Sequence, residues 1–133
     1  MDLVKDLMTP DPLVVGPTDT VNEAAVLMET RRIRHVPIAD ADRRLLGLVS
    51  QRDLLRVAWK LSTDGNPESW RAAPIASVMR EEVDTVQPSD TAVDAARQIL
   101  RSKRSCLPVV DSDGILVGIL TEADYVRRAV RGD

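Results

Sequence analysis

Ser50 and Asp53 stand three residues apart, and so do Thr121 and Asp124. Each pair closes the same short motif, Gly47-Leu48-Val49-Ser50-Gln51-Arg52-Asp53 in one case and Gly118-Ile119-Leu120-Thr121-Glu122-Ala123-Asp124 in the other. An aliphatic run ending in Ser or Thr marks a strand passing into a helix, and an acid three residues later has the spacing of a helix cap. The hydroxyl accepts an orphan amide and the acid favours the positive helix end. The same groups suit a ligand: a short, fixed carboxylate offers two acceptor oxygens to the paired donors of a ribose cis-diol. A helix N-terminus with its hydroxyl receives a phosphate, and a glycine lets a ligand or another backbone approach the strand closely. Capping and ligand binding are compatible, and a nucleotide needs this combination of groups.

The motif belongs to a longer duplication. The shift of 71 positions that carries Gly47 to Gly118 also carries Met8 to Met79, Val15 to Val86 and Pro17-Thr18-Asp19-Thr20 to Pro88-Ser89-Asp90-Thr91. It carries Ala24-Ala25 to Ala95-Ala96 and Pro37-Ile38-Ala39-Asp40 to Pro108-Val109-Val110-Asp111, all without a gap. One unit is written twice, which calls for two similar structural units related by approximate twofold symmetry. Function is expected where the copies meet.

The elements that must position the motif follow from pattern. Leu13-Val14-Val15 and Val83-Asp84-Thr85-Val86 read as short strands ending at Pro17 and Pro88, where the missing amide stops a ladder. Thr20 with Glu23, and Thr91 with Asp94, have capping-box spacing. Val21, Ala24, Ala25 and Met28 then form one buried helix face, and Val93, Ala96 and Leu100 are expected to continue that stripe in the second copy. Val36-Pro37-Ile38-Ala39 and Leu107-Pro108-Val109-Val110, each followed by an Asp-x-Asp turn and a second aliphatic run, read as hairpins. A second helix runs from Ser50 through Leu54, Leu55, Ala58 and Leu61, and from Thr121 through Tyr125, Val126 and Ala129. Each copy therefore reads β-α-β-β-α. Residues 1–61 form the first copy, 62–73 a connector that contains Trp70 and opens with the turn-rich Ser62-Thr63-Asp64-Gly65-Asn66-Pro67, and 74–133 the second copy.

Composition excludes several classes of function. A chain of 133 residues holds one ordinary domain or two intimately packed halves. With no Phe, one Tyr and two Trp, its core must be aliphatic. A net charge of −3 argues against a general nucleic-acid surface, which needs a basic stripe. The single cysteine, Cys106, excludes an internal disulfide and a site of several thiolates, and it fits a reducing compartment. Neither a signal sequence nor a membrane-length apolar run is present, so the chain reads as cytoplasmic.

The helix opening Asp-Thr-φ-x-x-Ala-Ala, the strand φ-Pro-φ-φ-Asp and the junction Gly-φ-φ-Ser/Thr-x-x-Asp, where φ is aliphatic, occur in this order twice. With them the chain closely resembles a tandem pair of cystathionine-β-synthase (CBS) domains, a Bateman module, from about Val4 to about Val130. The resemblance implies an α+β fold of two β-α-β-β-α repeats packed with pseudo-twofold symmetry, with two intercopy clefts for adenosine-containing ligands. It also implies that the junction Asp holds the ribose, the nearby Ser or Thr contacts phosphate, and the adenine lies between aliphatic residues. Carried over, one cleft pairs Thr121 and Asp124 with Val14, Ile33 and Arg34, and the second pairs Ser50 and Asp53 with Thr85, Arg104 and Ser105.

The copies differ where charge matters: Arg34, His35 and Arg52 of the first stand at the positions of Ser105, Cys106 and Ala123 in the second. Unequal sites are expected, with Arg34 the phosphate partner, because Ser cannot replace a bidentate guanidinium. His35 and Cys106 read as packed residues. No nucleophile, base and orienting group come together, so no catalytic role and no catalytic cofactor are expected. The expectation is a stand-alone regulatory pair, not an enzyme, that binds AMP, ADP, ATP or S-adenosylmethionine, forms a homodimer and acts on a protein effector. The alternatives are a dimerisation and protein-interaction module with empty clefts, and a nucleotide-handling enzyme, which steady turnover would reveal.

Overall fold

The computed structural model describes residues 2–61, 68–102 and 105–132. The chain runs α1 (Val4–Leu7), β1 (Thr9–Pro10), α2 (Val21–Arg31), β2 (His35–Ala39), β3 (Leu45–Ser50), α3 (Gln51–Leu61), two 3-10 turns (Ser69–Ala72 and Ile75–Ser77), α4 (Ala92–Ser102), β4 (Cys106–Val110), β5 (Leu116–Thr121) and α5 (Glu122–Arg131). It folds as two compact units, Leu13–Glu82 and Met1–Pro12 with Val83–Asp133. These units cut the chain differently from the sequence repeats.

In the Leu13–Glu82 unit, β2 and β3 form an antiparallel hairpin whose register runs from His35 opposite Ser50 to Ala39 opposite Leu45. The turn is tied by Asp40, whose Oδ1 accepts the amides of Asp42 and Arg44, each at 2.9 Å. The expected first strand is reduced to one bridging residue. Val15 donates to the Pro37 carbonyl at 3.1 Å and accepts from the Ala39 amide at 3.1 Å. Helix α2 opens with Glu23 accepting the Thr20 amide at 2.8 Å and buries Val21, Ala24 and Met28. These residues join Val15, Val36, Ile38, Val49, Leu54 and Ile75 in the core of the unit.

The other unit repeats this plan. Strands β4 and β5 pair from Cys106 opposite Thr121 to Val110 opposite Leu116, and Asp111 Oδ1 ties the turn by accepting from Asp113 and Ile115. Val86 bridges β4 as Val15 bridges β2. Val4, Leu7, Val86, Ala92, Ala95, Ile99, Leu107, Val109 and Leu120 make its core. Here one expectation fails: Val93 and Leu100 are 51% and 80% exposed, and the buried stripe of α4 is Ala92, Ala95 and Ile99. These three are the residues that the 71-position shift pairs with Val21, Ala24 and Met28, so repeat register and not side-chain size sets the helix face. On α3 and α5, Leu55 and Val126 are exposed.

Each unit is completed by an arm from the other sequence copy. Val4 is fully buried in the unit that holds β4 and β5, and β1 pairs with β5 with Thr9 opposite Ile119. In the other unit Ile75 is fully buried, and Arg80 exchanges both backbone hydrogen bonds with Leu48 at 2.9 and 3.0 Å. The glycines of the motif make room for these arms. A β-carbon on Gly47 would stand 2.7 Å from Met79 Sδ and 2.8 Å from the Arg80 carbonyl oxygen. On Gly118 it would stand 2.5 Å from Met8 Sδ and 3.1 Å from the Thr9 carbonyl oxygen.

Among the described residues no helix is long and apolar enough to cross a membrane. Cys106 is buried as expected, and burial, helped by the charge of Asp124, pushes its thiol up from 9.0 to about 12.

Two outcomes follow. Gly47→Ala is expected to cost about 1–3 kcal/mol, measured by urea unfolding, because the clashing Arg80 carbonyl is fixed by the hydrogen bond it accepts from the Leu48 amide. Gly118→Ala should cost less, since the backbone carbonyl there, that of Thr9, stands off at 3.1 Å and only the flexible Met8 side chain comes closer than 3.0 Å. Above the ordinary cysteine value the unfolded chain loses the Cys106 proton while the folded chain keeps it, so this group makes stability fall as pH rises from 9.0 towards about 12. The fall in urea midpoint between pH about 8 and about 10.5 should be smaller in Cys106→Ala than in the parent.

Candidate functional site

Asp53 and Asp124 are the buried charged residues among those described, 7% and 2% exposed. Burial of a charge is costly unless it is paired and hydrogen-bonded, and both carboxylates are. Strand β3 ends at Ser50 and α3 begins at once, so the Asp53 side chain turns back over the helix start. Its Oδ2 accepts the Ser50 amide and hydroxyl, each at 2.9 Å, while the Ser50 hydroxyl accepts the Asp53 amide at 3.2 Å. At the second junction Asp124 Oδ2 accepts the Thr121 amide at 2.8 Å and its hydroxyl at 3.3 Å. The capping reading of the motif is thus realised in both units.

The remaining oxygens carry the difference. Asp53 Oδ1 accepts from Arg56 at 3.4 Å and Arg80 at 3.3 Å. Asp124 Oδ1 accepts from Arg127 at 2.8 Å and the Thr9 hydroxyl at 3.3 Å. Arg56 and Arg127 are equivalent under the repeat and lie three residues beyond each Asp, a helical spacing that the sequence shows. Thr9 and Arg80 are also equivalent, but no local rule brings an arm residue to a junction in the other sequence copy. Sequence reasoning missed all four.

The expected site residues distribute by unit. Beside Ser50 and Asp53, the Leu13–Glu82 unit holds Ile33 and Arg34 at the same end of the hairpin, where the Arg34 carbonyl accepts the Gln51 amide at 2.8 Å. Ile33 is half-buried against the core, the Arg34 side chain is exposed, and Val14 is half-buried beside the bridging Val15. In the other unit Ser105, exposed, precedes Cys106, which lies opposite Thr121, and Thr85 is half-buried beside the bridging Val86. Arg104 lies outside the described residues.

His35 lies opposite Ser50. Burial is the main influence holding its imidazole below the ordinary value; the Asp53 charge opposes that shift, and the Arg34 and Arg80 charges add to it. The Tyr125 hydroxyl donates to the Ala92 carbonyl at 2.7 Å, and burial with the Asp124 charge raises its pKa. No group of three or more metal-ligating side chains occurs among the described residues. The junctions offer fixed acceptors, hydroxyls and nearby cations, the kinds of group that can hold and orient a polar ligand.

Comparison with known proteins gives this geometry a family. The profile of the CBS domain matches residues 4–60 and again 75–131. The chain is 36% identical over 140 aligned positions to CBSX1, a chloroplastic CBS domain-containing protein of Arabidopsis thaliana, covering 89% of this chain and 59% of CBSX1. It therefore spans less than two thirds of that relative. The structure of Arabidopsis CBSX2 in complex with AMP is similar over 98% of both chains, with a TM-score of 0.85 and 33% identity. The CBS domain pair of MJ0100, solved with 5'-methylthioadenosine and S-adenosyl-L-methionine, is similar over 100% of this chain and 99% of that one, with a TM-score of 0.82 and 25% identity. The chain belongs to the CBS-domain family, with two CBS domains in tandem.

Proposed function

We propose that this chain is a regulatory module that binds an adenosine-containing ligand, AMP, ADP, ATP or S-adenosylmethionine, and signals occupancy to itself or to a protein effector. The observation that carries this reading is the repeated junction, a buried carboxylate fixed at the start of a helix beside a Ser or Thr hydroxyl. Support comes from similarity to pairs solved with AMP and with S-adenosyl-L-methionine. In this reading Asp53 and Asp124 hold ribose, and Ser50, Thr121, Ser105, Arg34 and Arg104 serve phosphate. Val14, Ile33 and Thr85 flank the base. The ligand is not turned over, so the module is not an enzyme. Its effect requires different affinities for two arrangements of the protein, because equal affinity shifts nothing. Self-association as a homodimer uses exposed apolar residues such as Trp59 on α3 and Val130 on α5, which are 76% and 80% exposed. A reducing cytoplasmic setting suits the free Cys106 thiol.

Titration calorimetry against AMP, ATP and S-adenosylmethionine, with guanosine monophosphate as control, tests this directly. Saturable binding of an adenosine ligand without the guanosine control is expected; silence from a folded sample would favour a protein-interaction module with no ligand. Asp124→Ala and Asp53→Ala are each expected to weaken binding about tenfold or more at one site. Arg34→Ala should weaken AMP more than adenosine. Each Asp variant also loses a helix cap at a cost of about 1 kcal/mol, so circular dichroism must first show that it is folded. Unchanged binding of every ligand by both Asp variants would remove the ribose assignment.

A further inference from the structure

A carboxylate presents about four acceptor positions, and both junction carboxylates fill them. At each, Oδ2 is taken by the amide and hydroxyl of the residue that starts the helix. A ribose hydroxyl must therefore enter at Oδ1 and displace a donor already there. At Asp124 the weaker donor is the neutral Thr9 hydroxyl at 3.3 Å, and Arg127 remains at 2.8 Å. At Asp53 both donors are guanidinium groups, Arg80 at 3.3 Å and Arg56 at 3.4 Å. Since Arg56 and Arg127 are repeat equivalents, the chemical difference at Oδ1 is that between Arg80 and Thr9.

Exchanging one neutral hydroxyl for another on a carboxylate is close to even in free energy. Exchanging a guanidinium for a neutral hydroxyl separates opposite charges at a carboxylate that is 8% exposed. An anionic ligand offsets that loss, because a phosphate can re-pair the released guanidinium in bidentate fashion. We propose that Arg80 makes the Asp53 junction selective for anionic adenosine ligands, whereas Thr9 leaves the Asp124 junction open to uncharged ones. The proposal rests on the ribose assignment above and adds the determinant of ligand charge at each site.

The arm position can be changed without moving the arm, since Arg80 is held in place by backbone bonds to Leu48. Its side chain is 41% exposed, so solvent moderates the effect. The test compares AMP with adenosine by calorimetry in Asp124→Ala, where the Asp53 junction alone reports. AMP is expected to bind there more tightly than adenosine, and adding Arg80→Thr, or Arg80→Gln if the first is poorly folded, should narrow that preference about tenfold. In Asp53→Ala, adding Thr9→Arg should widen the preference at the Asp124 junction by a similar factor. An AMP-to-adenosine ratio unmoved by either arm substitution would overturn the proposal, as would Asp124→Ala protein that binds neither ligand while the parent binds AMP. Parent protein that binds no adenosine ligand would instead remove the functional reading on which the proposal rests.

Discussion

A carboxylate withdrawn from water and still fully hydrogen-bonded ties the end of a strand to the start of a helix in each unit, and the surrounding chain is arranged to satisfy it. Removing one donor from such a group leaves part of a buried charge uncompensated, which costs more than the bond itself contributes. Ser50 and Thr121 must therefore stand at the strand ends, where both amide and hydroxyl reach the same oxygen. The arginines one helical step beyond each Asp are held to the other oxygen. In the function proposed above, the carboxylate that closes the helix cap through Oδ2 receives the ribose at Oδ1, so one side chain would serve both structure and recognition.

The arms supply the remaining donor and seal the outer edge of each hairpin. Thr9 and Arg80 are carried to the carboxylates by short backbone pairings, on β5 in one unit and on β3 in the other. Glycine at 47 and 118 permits that approach, because a β-carbon would collide with the arm's methionine. The close approach inferred from these glycines is thus made by protein backbone. Buried Val4 and Ile75 anchor the two arms in their cores, which makes the arms part of each unit and not mere connections.

Much of this was legible because the chain repeats itself. The junction motif, the hairpins with their Asp-tied turns and the α2 stripe all follow from local spacing, and their second copies follow from the shift of 71 positions. Local size misled where the repeat would not have: Val93 and Leu100 are larger than Ala92 and Ala95, yet the alanines face the core. The first strands shrank to single bridges at Val15 and Val86. The arm exchange was not legible at all. It depends on contacts between residues far apart in sequence, such as Thr9 with Asp124, and no propensity or periodicity encodes that pairing.

The central claim is that a junction carboxylate is the ribose anchor. A crystal structure of the protein with bound AMP tests it most directly. The expected result is a ribose hydroxyl within hydrogen-bonding distance of Oδ1 of a junction carboxylate, with the arm donor there released, Arg80 at Asp53 or Thr9 at Asp124, and the Ser50 or Thr121 cap intact. AMP bound with no ribose hydroxyl on either carboxylate, Asp53 still holding Arg80 and Arg56 and Asp124 still holding Thr9 and Arg127, would contradict the account.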